Sequence, residues 1–366
     1  MISRKIIAGF FLFLTVVLMS CIFPAKATAS DSGYNWSIMP LPAFTVSPET
    51  GIGLGVAALY SGVPEALSLT AKPDTAVFSV LYTQKRQLQF DLVVEKYFGG
   101  SEWFFNAEPI FNKYSSFFWG LGPDTTVYDS ENFSYIEGGI TVSLLKEIAP
   151  RIYIGLYYKF LAYDIIARET GGLIASGLIP GSGGGAVSSP GFRFLWEARD
   201  RRYSPGSGFF LDLKADLSAK ALGASSNSYM FDADYRGYYT VFRENILAFN
   251  IVAKFYGIGT PLRAIPRLGG LYLMRGYYEG RYTDYDYITG QVEYRFPIFW
   301  TFRGAVFVCL GQVAPRIDYF KTDGIKISYG FGIHWKPFDF MDSPLRFDLA
   351  FSGGDPQLYL DLMEAF

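Results

Sequence analysis

The sequence predicts an all-β protein, specifically a transmembrane antiparallel β-barrel, and three observations support this class. Half of the 366 residues are hydrophobic and 18% are aromatic, whereas only 18% are charged, so the chain is too apolar to remain disordered. After the first 23 residues, no apolar run reaches the length of about 18 residues that a membrane-spanning helix needs. The hydrophobic residues instead recur at every second position, which is typical of strands with one lipid-facing side.

The N-terminal segment has the composition of a secretory signal. A short basic start precedes an apolar run over residues 6–23, and small residues follow it. This order predicts cleavage after Ala29, which assigns residues 1–29 to a signal peptide and residues 30–366 to the barrel. An uncleaved anchor and a lipidated Cys21 are the alternatives.

Alternating faces recur from Trp36 to the C-terminus, and the segment 87–97 shows them most clearly. Its even-numbered residues from Leu88 to Val94 are apolar, whereas its odd-numbered residues include Gln89 and Asp91. A soluble β-sandwich would show the same alternation, but it would have to cover aromatic faces on nearly every strand. A barrel in lipid must close, because an open sheet edge would leave backbone groups without partners.

Sixteen segments follow this pattern, and an even number is usual for single-chain bacterial barrels. They are 38–46, 49–60, 74–85, 87–97, 101–112, 131–145, 150–163, 190–200, 206–218, 227–240, 244–256, 285–296, 299–311, 324–336, 343–351 and 356–366. With the N-terminus in the periplasm, the long connections 113–130, 164–189 and 257–284 all lie outside the cell, as is usual. The connection 61–73 is an exception, because it is long for a periplasmic turn.

The most specific motif is Met274-Arg275-Gly276-Tyr277, in the glycine- and tyrosine-rich connection 257–284. Eleven predicted strands precede this motif and five follow it. In this position it resembles the inward-folded loop of the BamA/TamA (bacterial surface antigen) superfamily of outer-membrane insertases and secretion transporters. Stretches that also resemble that family are Pro48-Glu49-Thr50-Gly51, Phe118-Trp119-Gly120-Leu121-Gly122, Arg199-Asp200-Arg201, Ser204-Pro205-Gly206-Ser207-Gly208, Leu268-Gly269-Gly270 and Gly280-Arg281-Tyr282.

The resemblance implies that this one long external loop folds into the barrel lumen and carries Arg275, Gly276 and Tyr277 with it. An arginine in a restricted lumen needs an acceptor, and Glu293, on the lumen face of the next strand, is the nearest candidate in sequence. The family usually supplies a second carboxylate on the following strand, where this chain has Cys309. We therefore expect one acceptor to be missing. The alternative is an arginine that is solvated in an ordinary external loop.

The predicted last strand ends in an aromatic residue. Leu358, Leu360, Leu362 and Phe366 alternate along it and are expected to face lipid. A free terminal aromatic resembles the signal that the family's own assembly machinery recognises. The barrel-assembly machinery is therefore an expected partner during biogenesis.

Catalysis and cofactor binding receive little support from the sequence. His334 is the single histidine, so a zinc site would be poor. Its position on a lumen face predicts an ordinary solvated histidine with no nearby Ser or Asp partner. We predict no catalytic residue, metal or cofactor. The net charge of −2 also argues against nucleic-acid binding.

These features predict an integral barrel in the outer membrane of a Gram-negative bacterium, surrounded by membrane lipid. The resemblance implies membrane insertion or translocation of proteins. Because the sequence shows no POTRA domain, we expect the barrel to act without its own periplasmic domains, with a separate periplasmic partner or a client protein as candidate partners. The alternatives are a passive or gated pore plugged by the 257–284 loop, and a structural surface barrel.

Overall fold

A closed barrel of sixteen antiparallel strands forms the protein, which confirms the predicted class and strand number. The computed structural model describes residues 34–64, 72–336, 344–361 and 363–366. The predicted signal peptide, residues 1–29, lies outside the described residues. Within the described ranges, no helix is both long and apolar enough to cross a membrane.

The strands are numbered here in chain order, and two short ones, β12 and β13, pair only with each other outside the barrel sheet. They are β1 (Tyr34–Ser47), β2 (Gly51–Pro64), β3 (Asp74–Thr83), β4 (Leu88–Phe98), β5 (Trp103–Phe118), β6 (Glu131–Ala149), β7 (Ile152–Arg168), β8 (Gly184–Glu197), β9 (Gly208–Ser218), β10 (Ser228–Phe242), β11 (Asn245–Tyr256), β12 (Arg267–Leu268), β13 (Tyr282–Thr283), β14 (Asp286–Phe299), β15 (Phe302–Ala314), β16 (Lys326–Trp335), β17 (Leu345–Phe351) and β18 (Gln357–Asp361). Within the described ranges, the helical segments are one α-helical turn, Leu173–Ser176, and the 3-10 turns Val127–Asp129, Lys220–Leu222, Ile317–Tyr319 and Thr322–Gly324.

β5, β7 and β8 extend well into connections that the sequence pattern predicts to be loops. β5 continues to Phe118, β7 continues to Arg168, and β8 begins at Gly184 within a glycine-rich stretch. Gly184 can pair because Asp164 on β7 continues the ladder beside it. Part of the predicted connections 113–130 and 164–189 is therefore strand.

On most of the long strands, the described side chains alternate between an exposed outward face and a buried inward face. On β14, Ile288 and Val292 are exposed, whereas Gln291, Glu293 and Arg295 are buried. Because the exposed face is apolar and the buried face is polar, the alternation matches a barrel with lipid outside and a polar interior.

Tight turns join the strands at one end of the barrel. Ser101, Arg151, Arg243 and Trp300 lie in these turns and adopt positive φ angles between 49° and 81°, a conformation that few residues other than glycine adopt. Large aromatic residues are exposed beside the same turns, namely Phe98, Trp103, Phe242, Phe299 and Trp300. Such a ring of aromatic side chains is typical of the level where a barrel meets the membrane–water interface.

The barrel closes where its first strand meets its last, and we name this junction the β1–β18 seam. β1 pairs with β2 along its whole length, from Tyr34–Pro64 to Ser47–Gly51. Among the described residues, β1 and β18 are in register only at Val46 and Leu360. The seam is therefore the shortest ladder described between neighbouring strands of the barrel.

The last strand is shorter than predicted, and the C-terminus does not face lipid. β18 ends at Asp361, and Phe366 is buried with its ring 6.3 Å from that of Tyr238, beside the inward-facing Ala248. The prediction that Phe366 continues a lipid-facing row is wrong. Glu364 explains the turn inward, because its carboxylate lies 3.6 Å from Arg295 Nε and an unpaired charge in lipid would be costly.

Two of the three leucines in the predicted lipid-facing row belong to the part of the chain that the structure describes. Leu358 is exposed on the outer face, and Leu360 faces Val46 across the seam. Leu362 lies outside the described residues.

Candidate functional site

Arg275 is fully buried although it belongs to the connection 257–285 between β11 and β14. Its Nη2 atom donates a hydrogen bond to Glu293 Oε2 at 2.5 Å, and its Nη1 atom donates to Asp348 Oδ2 at 2.6 Å. The guanidinium also lies 3.6 Å from the centre of the Phe307 ring, a distance at which a cation is attracted to an aromatic face. The structure thus brings Arg275 together with the predicted Glu293.

Asp348 is the residue that sequence reasoning missed. We expected Arg275 to lack a second acceptor because Cys309 occupies the place on β15, and that expectation is wrong. Asp348 supplies the carboxylate from β17, two strands further round the barrel. Cys309 is buried, and its thiol donates to Gln291 Oε1 at 3.7 Å. Only the alternation of β17, which places Asp348 on the inward face, could have indicated this acceptor.

Gly276 and Tyr277 fit the backbone of the connection closely to the barrel wall. Gly276 has a φ of 103°, and a Cβ atom there would lie 3.1 Å from Ser328 Cβ and 3.2 Å from the Phe351 backbone. Its amide donates to the Tyr359 hydroxyl at 2.9 Å. The Tyr277 hydroxyl donates to the Ile327 carbonyl at 3.2 Å. A side chain at position 276 would therefore both strain the backbone and separate it from β16 and β17.

The charges around Arg275 form a network that continues to the C-terminus. Glu293 also accepts a hydrogen bond from Arg295 Nε at 2.7 Å, and Asp348 accepts one from Arg346 Nη1 at 3.0 Å. Arg295 Nη2 in turn lies 3.4 Å from the carbonyl oxygen of Phe366. We name this set of side chains the buried ion cluster: Arg275, Glu293, Arg295, His334, Arg346, Asp348 and Glu364, all of which are at most 6% exposed.

His334 is not the solvated histidine that we expected. It is 1% exposed, and its ring nitrogens lie 3.4 Å from Asp348 Oδ1 and 2.9 Å from Glu364 Oε2. The expectation of no aspartate partner is therefore wrong, because β16 and β17 pair His334 with Arg346 and place Asp348 on the same inward face.

Three members of the cluster could in principle offer ligands to a metal ion. One ligand atom from each of Glu293, His334 and Glu364 lies within 4.8 Å of the others. Their surroundings do not fit a cation, because Arg275 and Arg295 already contact Glu293 and a divalent ion would lie beside both guanidinium groups. The arrangement is a salt-bridge network that joins strands, the long connection and the C-terminus.

Other residues tie the same connection to distant parts of the barrel. Arg263 makes two hydrogen bonds of 3.0 Å to Glu137 on β6, and the guanidinium of Arg281 donates to Thr125 between β5 and β6. The amide of Glu279 donates to Glu49 Oε1 at 2.7 Å, in the turn between β1 and β2.

Glu49 lies in a stretch that the sequence analysis singled out, Pro48-Glu49-Thr50-Gly51. Burial raises the pKa of the Glu49 carboxyl, although the amide of Glu279 acts in the opposite direction. The turn between β1 and β2 thus offers a buried acceptor to the long connection.

Comparison with known proteins places this architecture in a family. The Omp85 superfamily domain matches residues 69–359, more than half of the chain. No curated protein sequence matches the chain significantly.

Two solved structures share the fold. BamA from Haemophilus ducreyi lacking POTRA domains 1–3 is 13% identical with a TM-score of 0.58, over 92% of this chain and 71% of that chain. CdiB from Acinetobacter baumannii is 10% identical with a TM-score of 0.52, over 91% of this chain and 66% of that chain. The resemblance drawn from the Arg275 motif is confirmed, and the chain belongs to the Omp85 superfamily.

Proposed function

We propose that this outer-membrane barrel inserts or translocates other proteins, and that the β1–β18 seam is the part of the barrel that opens for them. Membership of the Omp85 superfamily and the fold shared with BamA and CdiB support this function and an outer-membrane location in a Gram-negative bacterium. The shortness of the seam is the observation that carries the proposal.

The seam exposes one edge of β1 to pairing with another strand. Between residues 34 and 45, β1 has no register partner on β18 within the described residues, whereas its other edge is fully paired with β2. Unpaired backbone groups at a sheet edge bind an added strand readily. In lipid this tendency is stronger, because no water is present to satisfy the same groups. An incoming client strand would therefore be stabilised at this edge.

In this proposal the connection 257–285 holds one wall of the barrel fixed while the seam opens. We place it inside the lumen, where Arg275, Gly276 and Tyr277 fasten it to the wall formed by β14–β17. Hydrogen bonds to Glu137 and Glu49 from Arg263 and the Glu279 amide support this placement, since they reach β6 and the turn after β1. One wall is then held fixed while the seam beside β1 moves.

A disulfide across the seam tests the proposal. Val46→Cys with Leu360→Cys would join the paired positions of β1 and β18, in a Cys309→Ser background that removes the natural thiol. Ile38→Cys with Tyr60→Cys, at facing positions of β1 and β2, is the matched control. The assay follows folding of a denaturant-unfolded outer-membrane protein into vesicles that contain each variant, by the gel shift of the folded barrel.

We expect the seam disulfide to reduce folding to the rate of empty vesicles and a reductant to restore it. The control disulfide should leave the rate unchanged. Equal activity of the oxidised seam variant and the parent would refute an opening at this seam.

A pore closed by the 257–285 connection is the second candidate, because a cavity of about 750 Å³ lies in the barrel interior. Planar-bilayer recordings distinguish the two functions. Large, stable conductance steps after deletion of residues 270–280, without any folding activity in the parent, would favour the pore.

A further inference from the structure

Two prolines lie in β1, the strand that forms one side of the β1–β18 seam. Pro40 and Pro42 both belong to the ladder between β1 and β2. A proline has no backbone N–H group, so it cannot donate a hydrogen bond to a neighbouring strand. Which neighbour lacks a donor depends on the side to which these two residues direct their backbone groups.

The hydrogen bonds of Ile52 on β2 determine that side. Ile52 is paired with Val46 of β1, but its carbonyl accepts from the Gln84 amide at 2.7 Å and its amide donates to Gln84 Oε1 at 3.4 Å. Its backbone groups therefore point away from β1. Opposed residues of an antiparallel pair exchange either both hydrogen bonds or neither. Val46 thus directs its N–H and C=O groups to the seam, and so does every second residue before it, Pro42 and Pro40 included.

The seam edge of β1 consequently lacks donors in its middle. Over residues 39–43, only the two prolines direct their backbone groups to the seam, and they offer carbonyl acceptors but no N–H donor. A strand added there would leave its own carbonyl groups unpaired, which is costly where no water replaces the missing partner. Prolines on an edge strand limit pairing in this way in other sheets as well.

The missing donors lie where the protein's own C-terminus would otherwise pair. If β18 continued in the register that it has at the seam, Glu364 would lie opposite Pro42 and Phe366 opposite Pro40. β18 instead ends at Asp361, and the residues after it turn inward. The stretch of β1 without donors therefore coincides with the part of the seam that β18 does not cover.

Glu364 acts in the same direction as the prolines. Continuation of β18 would place its carboxylate on the outer face, as Leu358 is, and an unpaired charge in lipid is costly. In the structure the carboxylate lies inside, 3.6 Å from Arg295 Nε and 2.9 Å from His334 Nδ1. The inward position of the C-terminus is thus favoured at the buried ion cluster and disfavoured at the seam.

We propose that Pro40, Pro42 and Glu364 keep the C-terminal residues 363–366 off the β1 edge, which leaves that edge free for the strand of a client protein. A client strand meets the same stretch without donors, so it is held less tightly than on a fully paired edge and is released more readily. The part played by a client rests on the proposed function, whereas the position of the C-terminal residues is measured in the barrel alone.

A disulfide between Leu41→Cys and Ala365→Cys reports that position. The two residues would face each other if β18 continued in its seam register, whereas Ala365 packs with Tyr238 and Ala248 in the structure. Cys309→Ser removes the natural thiol. The yield of the disulfide in the purified, folded barrel therefore measures how often the C-terminus pairs with β1.

The comparison is between Glu364→Leu alone and Glu364→Leu combined with Pro40→Val and Pro42→Val, both carrying the cysteine pair. Glu364→Leu alone is the matched control, because it removes the charge and keeps the prolines. We expect the combined variant to exceed the control in disulfide yield by about tenfold or more, as expected for two added hydrogen bonds. If Glu364→Leu abolishes the folded gel shift, Glu364→Gln replaces it in both variants.

Client folding in vesicles supplies the second readout. The combined variant should fold a denaturant-unfolded outer-membrane protein severalfold more slowly than the control, because its own C-terminus occupies the edge. Equal disulfide yields in the two variants, or a high yield in the parent with the cysteine pair, would overturn the proposal. A raised yield with unchanged client folding would overturn the need for a free edge. If the yield rises but the parent itself does not accelerate folding, the proposed function fails and the role of the prolines stands.

Discussion

The two walls of the barrel interior are built from different chemistry. The wall of β14–β17 carries the buried ion cluster, which includes Arg275 of the connection 257–285. Phe366 packs at the edge of this wall, on Tyr238 and Ala248 of β10 and β11 and near Arg295. The wall of β1–β4 instead faces a cavity and presents mostly small or apolar side chains, such as Ala57 and Val77. Both walls reach the seam, since β18 follows β17 and β1 closes the barrel.

This difference indicates where the molecule can change shape. On the β14–β17 wall, any movement separates buried charges that have no water to replace their partners, which is strongly unfavourable. On the β1–β4 wall, Glu95 pairs with Arg202, but Asp91, which lines the cavity, has no ion pair among the described residues, and the adjoining seam is short. The packed wall therefore holds the fold in place, and the open wall is free to take part in function.

The largest expected effect is on the free energy of unfolding, when one aspartate of each wall is replaced by asparagine. Asp348→Asn removes a carboxylate that contacts Arg275 and Arg346, and we expect it to lower the free energy of unfolding by about 3 kcal/mol. Asp91→Asn on the open wall removes a carboxylate that has no ion pair within the described residues, and should change stability by less than about 0.5 kcal/mol. Denaturant unfolding in vesicles, followed by tryptophan fluorescence, measures both.

A double-mutant cycle sharpens this comparison. Arg275→Met and Asp348→Asn should be strongly non-additive, because both remove the same contact. Additive losses, or an equal effect of Asp91→Asn, would mean that the two walls do not differ in the way described.

The strands were predictable because their signal is local. Alternation of apolar and polar residues identified all sixteen barrel strands, and the long connections and short turns also followed from the pattern. The ends of β5, β7 and β8 were not predictable, because paired neighbours rather than composition extend them. The end of β18 was misjudged for a similar reason: Glu364 pairs with groups that are distant in sequence.

The site was only half predictable. Arg275 and Glu293 were found because they lie on adjacent elements of the chain and belong to a motif with a family resemblance. Asp348 and His334 come together with them only through barrel closure, which no local pattern records. Cys309 was given too much weight, since the acceptor came from a strand that was not considered.

The second prediction concerns Phe366, which was expected to serve as an assembly signal and is found packed beside Tyr238. Phe366→Ala should lower the stability of the purified, folded barrel by about 2 kcal/mol, because it removes a buried ring from the packed wall. Leu358→Ala, on the exposed outer face, is the control and should have little effect on the purified protein. Unfolding of purified barrels measures stability separately from the amount that reaches the membrane.

Phe366→Ala distinguishes a structural role of Phe366 in the folded barrel from a role as an assembly signal. If the residue serves as an assembly signal alone, Phe366→Ala lowers the amount of barrel in the outer membrane, yet the purified variant unfolds like the parent. That outcome would contradict a structural role for the C-terminus on the packed wall.

The smallest expected effect is the pH dependence of Asp284, at the outer end of the packed wall. Burial raises its pKa from the ordinary value of 3.8 to about 6, and the neighbouring Asp286 acts in the same direction. No arginine or lysine pairs with it among the described residues, so it differs from the carboxylates of the buried ion cluster.

The sign of the effect follows from the two pKa values. Below about pH 4 the Asp284 carboxyl is protonated in both the folded and the unfolded chain. Between about pH 4 and about pH 6, this carboxyl releases its proton only in the unfolded chain. Stability from this group is therefore present in acid and is lost as the pH rises through about 6. Asp284→Asn should remove this loss and stabilise the connection 257–285 at neutral pH by about 1 kcal/mol, after allowance for solvent screening. The effect is measured by protease cleavage of that connection at about pH 4.5 and about pH 7.5, in the parent protein and in Asp284→Asn. If the ratio of the two cleavage rates is the same in the variant and in the parent, the prediction is contradicted.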